Sequence, residues 1–298
     1  MLRPITILLH LALFFLGSVT CVALDTAKIV EVTGLKGTLT DGVFKLTQPR
    51  SDVKVSVDSW QMPPFMGLTS WTAFTEGMKA PAMVMGDLVL FQDEVNPVIS
   101  AALEAGLSVT ALHNHFFYDD PKVYFMHIAG EGEAEKLAGG VKAALDKVKE
   151  IRAAQPQPAK TFGKPFAPEK NAISGGPIDE TLGSKGQAQD GMFKVVFGRK
   201  AKMPCGCEVG KEMGVNTWAA FAGTDDNAVV DGDFSVTEDE LQPVLRSLRA
   251  SRIDIVAIHQ HMTHEQPRIM FLHYWGRGKA TELAGAIKAA LAATKHDH

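Results

Sequence analysis

The chain repeats itself at a fixed distance, and that repeat limits its possible folds more than any other feature. Residues 109–132, VTALHNHFFYDDPKVYFMHIAGEG, return without a gap as residues 255–278, IVAIHQHMTHEQPRIMFLHYWGRG. The same spacing of 146 joins Gly86-Asp87 to Gly232-Asp233, Asp93-Glu94 to Asp239-Glu240, and Pro97-Val98 to Pro243-Val244. It also joins Lys142-Ala143-Ala144-Leu145 to Lys288-Ala289-Ala290-Leu291. With small gaps the match extends upstream, from Trp71 and Phe74 to Trp218 and Phe221, and from Asp41-Gly42 to Asp190-Gly191. The period is too long for a solenoid, whose units run to roughly 20–50 residues. Two copies in 298 residues therefore predict two units related by a pseudo-twofold axis.

Within the first copy, the pattern predicts strands over 82–91, 107–116 and 123–129, and helices over 93–105 and 133–148. Asp93 and Asp239 are read as helix N-caps, with Glu94 and Glu240 in a first turn where the helix dipole favours acids. Further strands are expected over 43–47, 53–57 and 69–74. The fold class is α+β: a tandem duplication of a ferredoxin-like β-α-β-β-α unit with extra N-terminal strands. Residues 153–177 are rich in Pro, Gly and Ala and read as a linker, leaving 24–152 as the first repeat and 178–298 as the second.

Residues 1–23 have the layout of a signal peptide: Arg3, an apolar run from Ile5 to Leu16, and Cys21-Val22-Ala23 before a cleavage point at Leu24. Export to the periplasm or the medium follows, with no further stretch apolar enough to span a membrane. Ser18 stands where a lipobox normally has Leu, so simple export ranks above lipid anchoring. The 34 acidic against 30 basic residues argue against a nucleic-acid partner, and three cysteines exclude a disulfide scaffold or a four-cysteine zinc site. A monomer is expected.

Chemistry concentrates in the repeated hairpin. Strand alternation puts His113 and His115 on one side, and His127 on the matching side of the returning strand. A turn centred near residue 120 would set His113 opposite His127 and His115 opposite Phe125. His259, His261 and His273 repeat the arrangement. Three neutral imidazoles suit zinc or copper and leave a coordination position open. In the second copy His264, beside Glu265, offers a fourth ligand. The same histidines also suit plain packing, or hydrogen bonding to an anionic or sugar ligand. Asp87 and Asp233 follow a glycine at an expected bend, with no role assigned. Trp71 and Trp218 read as core. Cys205-Gly206-Cys207, preceded by Met203, is either a tight local disulfide or a soft metal-ligand pair.

The segments ALHNH…FMHIAGEG, EDELQPVL and AIHQHM…FLHYWGRG resemble the exported bacterial family named after the lipoproteins LppY and LpqO, built on a domain of unknown function (DUF1259). The resemblance covers nearly the whole mature chain. It implies export and duplication, and no activity. The first reading is thus an exported two-repeat protein binding a transition metal through its histidines. One alternative is a metal-dependent hydrolase or lyase on a small or sugar-like substrate, with Glu240 or Glu265 as base. Another is a metal-free ligand-binding module. No nucleotide fingerprint, G-x-S-x-G elbow or H-E-x-x-H helix is present.

Overall fold

Alternation of apolar residues sorts each strand into two faces. In residues 82–91, Ala82, Val84, Leu88 and Leu90 are buried in the main core, whereas Met83, Met85 and Asp87 project from the opposite face. The computed structural model describes residues 24–163 and 170–295. The expected signal segment and residues 164–169 of the expected linker lie outside these.

The first copy supplies β1 (Gly37–Thr40), β2 (Val43–Pro49), β3 (Thr69–Glu76), β4 (Ala82–Phe91), β5 (Ser108–His113) and β6 (Val123–Gly132). The second supplies β7 (Gln187–Gln189), β8 (Met192–Gly198), β9 (Asn216–Thr224), β10 (Asn227–Thr237), β11 (Asp254–His259) and β12 (Ile269–Gly278). They form one 12-stranded antiparallel sheet in the order β1-β2-β3-β4-β6-β5-β11-β12-β10-β9-β8-β7. Helices α1 (Thr26–Thr33), α2 (Gln92–Glu104), α3 (Ala134–Ala154), α4 (Gly175–Leu182), α5 (Glu238–Ala250) and α6 (Ala280–Leu291) share one core with this sheet. Val98 and Leu145 of the first copy belong to the same cluster as Val244 and Ile287 of the second. The two copies thus share a sheet and a core.

The seam shows the symmetry directly. Leu112 of β5 pairs with Ile258 of β11, and these are equivalent residues of the two copies. Each strand has a register shift nearby, between Val109 and Ala111 and between Ile255 and Ala257. The opposite copy's helix fills the gap. Gln242 of α5 accepts from Val109 N–H at 3.0 Å and donates to Val109 O at 2.8 Å. Asn96 of α2 does the same for Ile255, at 2.7 and 3.1 Å. Each side-chain amide stands in for a strand where the ladder would leave buried groups unpaired.

Two expectations need correction. Residues 53–57 do not join the main sheet: only Ser56–Val57 is a strand, in a ribbon with Trp60–Gln61 and Asp119–Asp120. Val53 and Val55 instead cover Val89, Phe91 and Phe125 on the face away from the helices. The aspartates are not the caps either. Glu94 accepts from Phe91 N–H at 2.8 Å and Glu240 from Thr237 N–H at 2.9 Å, each reaching back over the helix start from its third position. Asp93 pairs with Arg152, and Asp239 is exposed.

Gly86 and Gly232 are repeated because their backbones lie against bulk. A Cβ on Gly86 would sit 2.8 Å from Thr72 Cγ2, and one on Gly232 would run into the Tyr274 hydroxyl and the Trp218 carbonyl. Tyr274 is fully buried and donates to that carbonyl at 2.9 Å. Gly232→Ala is therefore expected to cost about 1–3 kcal/mol in urea denaturation, the range for an overpacked core. An unchanged midpoint would mean that Tyr274 swings aside freely.

Candidate metal centre

The register of the hairpins differs from the expected one. His127 lies opposite Ala111 and His113 opposite Phe125; in the second copy His273 lies opposite Ala257 and His259 opposite Phe271. The strands β5 and β11 end at His113 and His259, so His115 and His261 sit beyond them. Each folds back to stack on a phenylalanine, His115 on Phe125 with centroids 3.4 Å apart and His261 on Phe271 at 3.5 Å. The imidazoles still cluster. His127 Nε2 is 3.1 Å from His113 Nε2, and the His113 and His115 ring centroids are 5.1 Å apart. In the second copy His261 Nε2 is 3.2 Å from His259 Nε2, with His273 stacked on His259 at 4.8 Å.

An aspartate stands beside each cluster, a place no sequence pattern assigned to it. Asp87 pairs across the ladder with His127 and Asp233 with His273, both in mid-strand rather than at a bend. Residues directly opposite in a ladder share a face, so each carboxylate projects beside the histidines. Asp233 Oδ2 lies 3.5 Å from His261 Nε2. Asp233, His259 and His261 offer ligand atoms that all lie within 4.8 Å of one another. The signal was present in the repeat, as Gly-Asp at the constant spacing.

Proton accounting gives this group its character. A carbonyl only accepts, so the Nδ1 atoms of His261, 3.3 Å from Gly214 O, and His273, 3.2 Å from Gly232 O, carry their hydrogens. That leaves the Nε2 atoms as the outward ends of the rings, and that of His261 faces both Asp233 Oδ2 and His259 Nε2. Asp233 Oδ1, Asp87 Oδ1 and His259 Nδ1 are buried without a partner. Burial, then the charges of His273 and His261, push His259 down to about 4. Burial raises the Asp233 carboxyl against the pull of the same two histidines. In the first copy burial and then His113 lower His115, against Asp87.

Other sequence candidates fall elsewhere. His264 is exposed in the loop after His261, with φ +67, and is not in the group that Asp233 joins. Glu240 is buried against Arg199 at 2.6 Å and also accepts from Lys295 N–H at 2.8 Å. Glu265 accepts from Ile269 N–H at 2.9 Å, as Asp119 does from Val123 N–H at 2.7 Å in the first copy. Both acids are thus engaged with the backbone. Trp71 and Trp218 are half-buried beside the aspartates, under Lys45 and Lys194. Cys205 and Cys207 are free and exposed.

The profile of the family described as Domain of Unknown Function (DUF1259) matches residues 27–147 and 176–293, one match for each copy. The chain belongs to the DUF1259 family. No curated protein matches this DUF1259 chain. Among solved structures it is similar to a trimeric bacterial microcompartment shell protein PduB, at 11% identity over 88% of this chain and 91% of that one, with a TM-score of 0.21. That likeness is too slight to bear on fold or function. No helix among the described residues is long and apolar enough to cross a membrane.

Proposed function

We propose that this DUF1259 protein is an exported metal-binding protein that holds a divalent transition ion, zinc first and copper second, at Asp233, His259 and His261. His273, stacked on His259, would be a fourth ligand, and Asp87, His113, His115 and His127 would form the counterpart centre of the first copy. The carrying observation is the convergence of Asp233 Oδ2 with the Nε2 atoms of His259 and His261, while Asp233 Oδ1 and His259 Nδ1 are buried without a partner. Two nitrogens bound tetrahedrally to zinc would stand roughly 3.3 Å apart, given Zn–N distances of about 2.0–2.1 Å. The observed 3.2 Å between His259 and His261, and 3.1 Å between His113 and His127, fit that spacing. The backbone carbonyls that fix the Nδ1 hydrogens of His261 and His273 are the outer partners by which proteins orient metal-binding imidazoles.

The test is elemental analysis of the mature protein, purified without a polyhistidine tag, with a thermal melt in the presence and absence of Zn(II). Bound metal and a melt raised by Zn(II) are expected, with the rise diminished in His259→Ala. Absence of metal together with an unmoved melt on adding zinc or copper would overturn the reading.

A further inference from the structure

Away from the histidines, the second copy carries a pair of soft ligands that the first lacks. Residues 201–202 and 208–209 pair as a short ribbon, and the chain between them turns tightly. Gly206 N–H donates to Met203 O at 2.8 Å and Met203 N–H to Cys207 O at 2.9 Å. Gly206 takes φ +85, a conformation that L side chains rarely adopt, which explains the glycine between the cysteines. The turn presents Cys205 and Cys207 together at its tip, with Cys207 N–H donating to Cys205 Sγ at 3.4 Å. A hydrogen bond between the two side chains holds Cys205 below and Cys207 above the ordinary thiol value.

The tip is anchored. Lys202 and Gln266 exchange backbone hydrogen bonds of 2.8 and 2.9 Å, tying the ribbon to the loop that follows His261. Met203 packs against the small cluster that contains Phe271, the ring on which His261 stacks. The corresponding cover of the first copy, residues 50–68, contains no cysteine.

We propose that Cys205 and Cys207 bind one copper(I) ion as a bis-thiolate, separately from the histidine centres. Thiolates select soft ions such as copper(I). A structural zinc site needs four ligands, and among the described residues no third His, Cys, Asp or Glu gathers with this pair. Binding breaks two S–H bonds and forms two Cu–S bonds. Two protons pass to solvent and no electrons move, the copper arriving already as copper(I). The product carries one negative charge, and Lys202, which lines the cleft beside Gly206, favours it, while Lys200 on the same cleft is paired with Glu208 at 2.7 Å.

The full chain, reduced with a phosphine, would be titrated without oxygen against copper(I) held by a coloured competing chelator. Withdrawal of one copper(I) per chain by a His113→Ala/His259→Ala protein is expected, since both histidine centres are broken and the thiols are intact. Adding Cys205→Ser and Cys207→Ser to it is expected to weaken uptake by at least ~100-fold, the upper end of what losing a supporting partner of a metal costs. The two serine changes alone should leave the Zn(II) effect on the melt in place, showing that the fold and the histidine centres persist. Uptake unchanged by the serines, or no copper(I) withdrawn by the reduced His113→Ala/His259→Ala chain, would overturn the proposal.

Discussion

Glu94→Ala is expected to cost about 3–5 kcal/mol, the penalty for stranding a buried partner charge. Glu94 is fully buried and receives Arg50 in a two-pronged contact, Nη1 at 2.8 Å and Nη2 at 2.9 Å, while Arg152 Nε approaches at 2.8 Å. Removing the carboxylate leaves two arginines, 4% and 8% exposed, with less compensation, and frees the Phe91 N–H as well. Asp52 and Asp93 remain near them, so the loss should be large without abolishing folding. Glu240→Ala should cost less, because Glu240 holds the single arginine Arg199. Urea denaturation at neutral pH compares the two; a loss below about 1 kcal/mol for Glu94, the worth of an exposed pair, would refute the argument.

Acid should reveal the second pair. Burial alone would raise the Glu240 carboxyl, but Arg199 and the Thr237 and Lys295 N–H groups outweigh it and hold it at about 2. Its contribution is therefore complete above the ordinary value of 4.5 and is lost as pH falls toward 2.

The repeat made the architecture legible because it constrains many residues at once. The palindromic sheet order, the strand over 82–91 and the pairing of six histidines all follow the constant spacing. What escaped notice depends on contacts between distant segments. Arg50 and Arg199 lie upstream of the ungapped match, far in sequence from the acids, so nothing local pointed to Glu94 and Glu240 as their partners. The hairpin register slipped because the connection centres on residue 119 rather than 120, so that His113 already faces Phe125 on the turn side of the bulge in β5. The seam depends on Asn96 and Gln242, two amides in the first turns of their helices whose partners lie in the opposite copy, beyond the reach of a local pattern. The aspartates were in the repeat, yet a glycine before them suggested a bend. The glycine is there for the Tyr274 and Thr72 side of the sheet, and the aspartate faces the other side.

That division of faces sets up the second large effect. Asp233→Asn is expected to abolish Zn(II) binding at the second centre, and Asp87→Asn at the first, so that each single variant takes up one ion and the double variant none. The loss at each centre should exceed the roughly 10–100-fold that follows loss of an outer hydrogen-bond partner. Stability of the metal-free protein separates this from damage. Asp233 is 2% exposed, with Oδ1 unpartnered and burial raising its carboxyl, so the charge is a cost to the fold when no cation is there to answer it. The metal-free Asp233→Asn protein should accordingly melt no lower than the wild type, while the gain on adding Zn(II), about 4 kcal/mol at a thousandfold excess over the dissociation constant, shrinks. Calorimetric titration gives the stoichiometry, and the melt gives the stability. A metal-free variant that melts well below the wild type would show Asp233 to be a structural acid. Zn(II) uptake unchanged in both single variants would remove the aspartates from the centre and leave the histidines without the charge that a divalent ion needs.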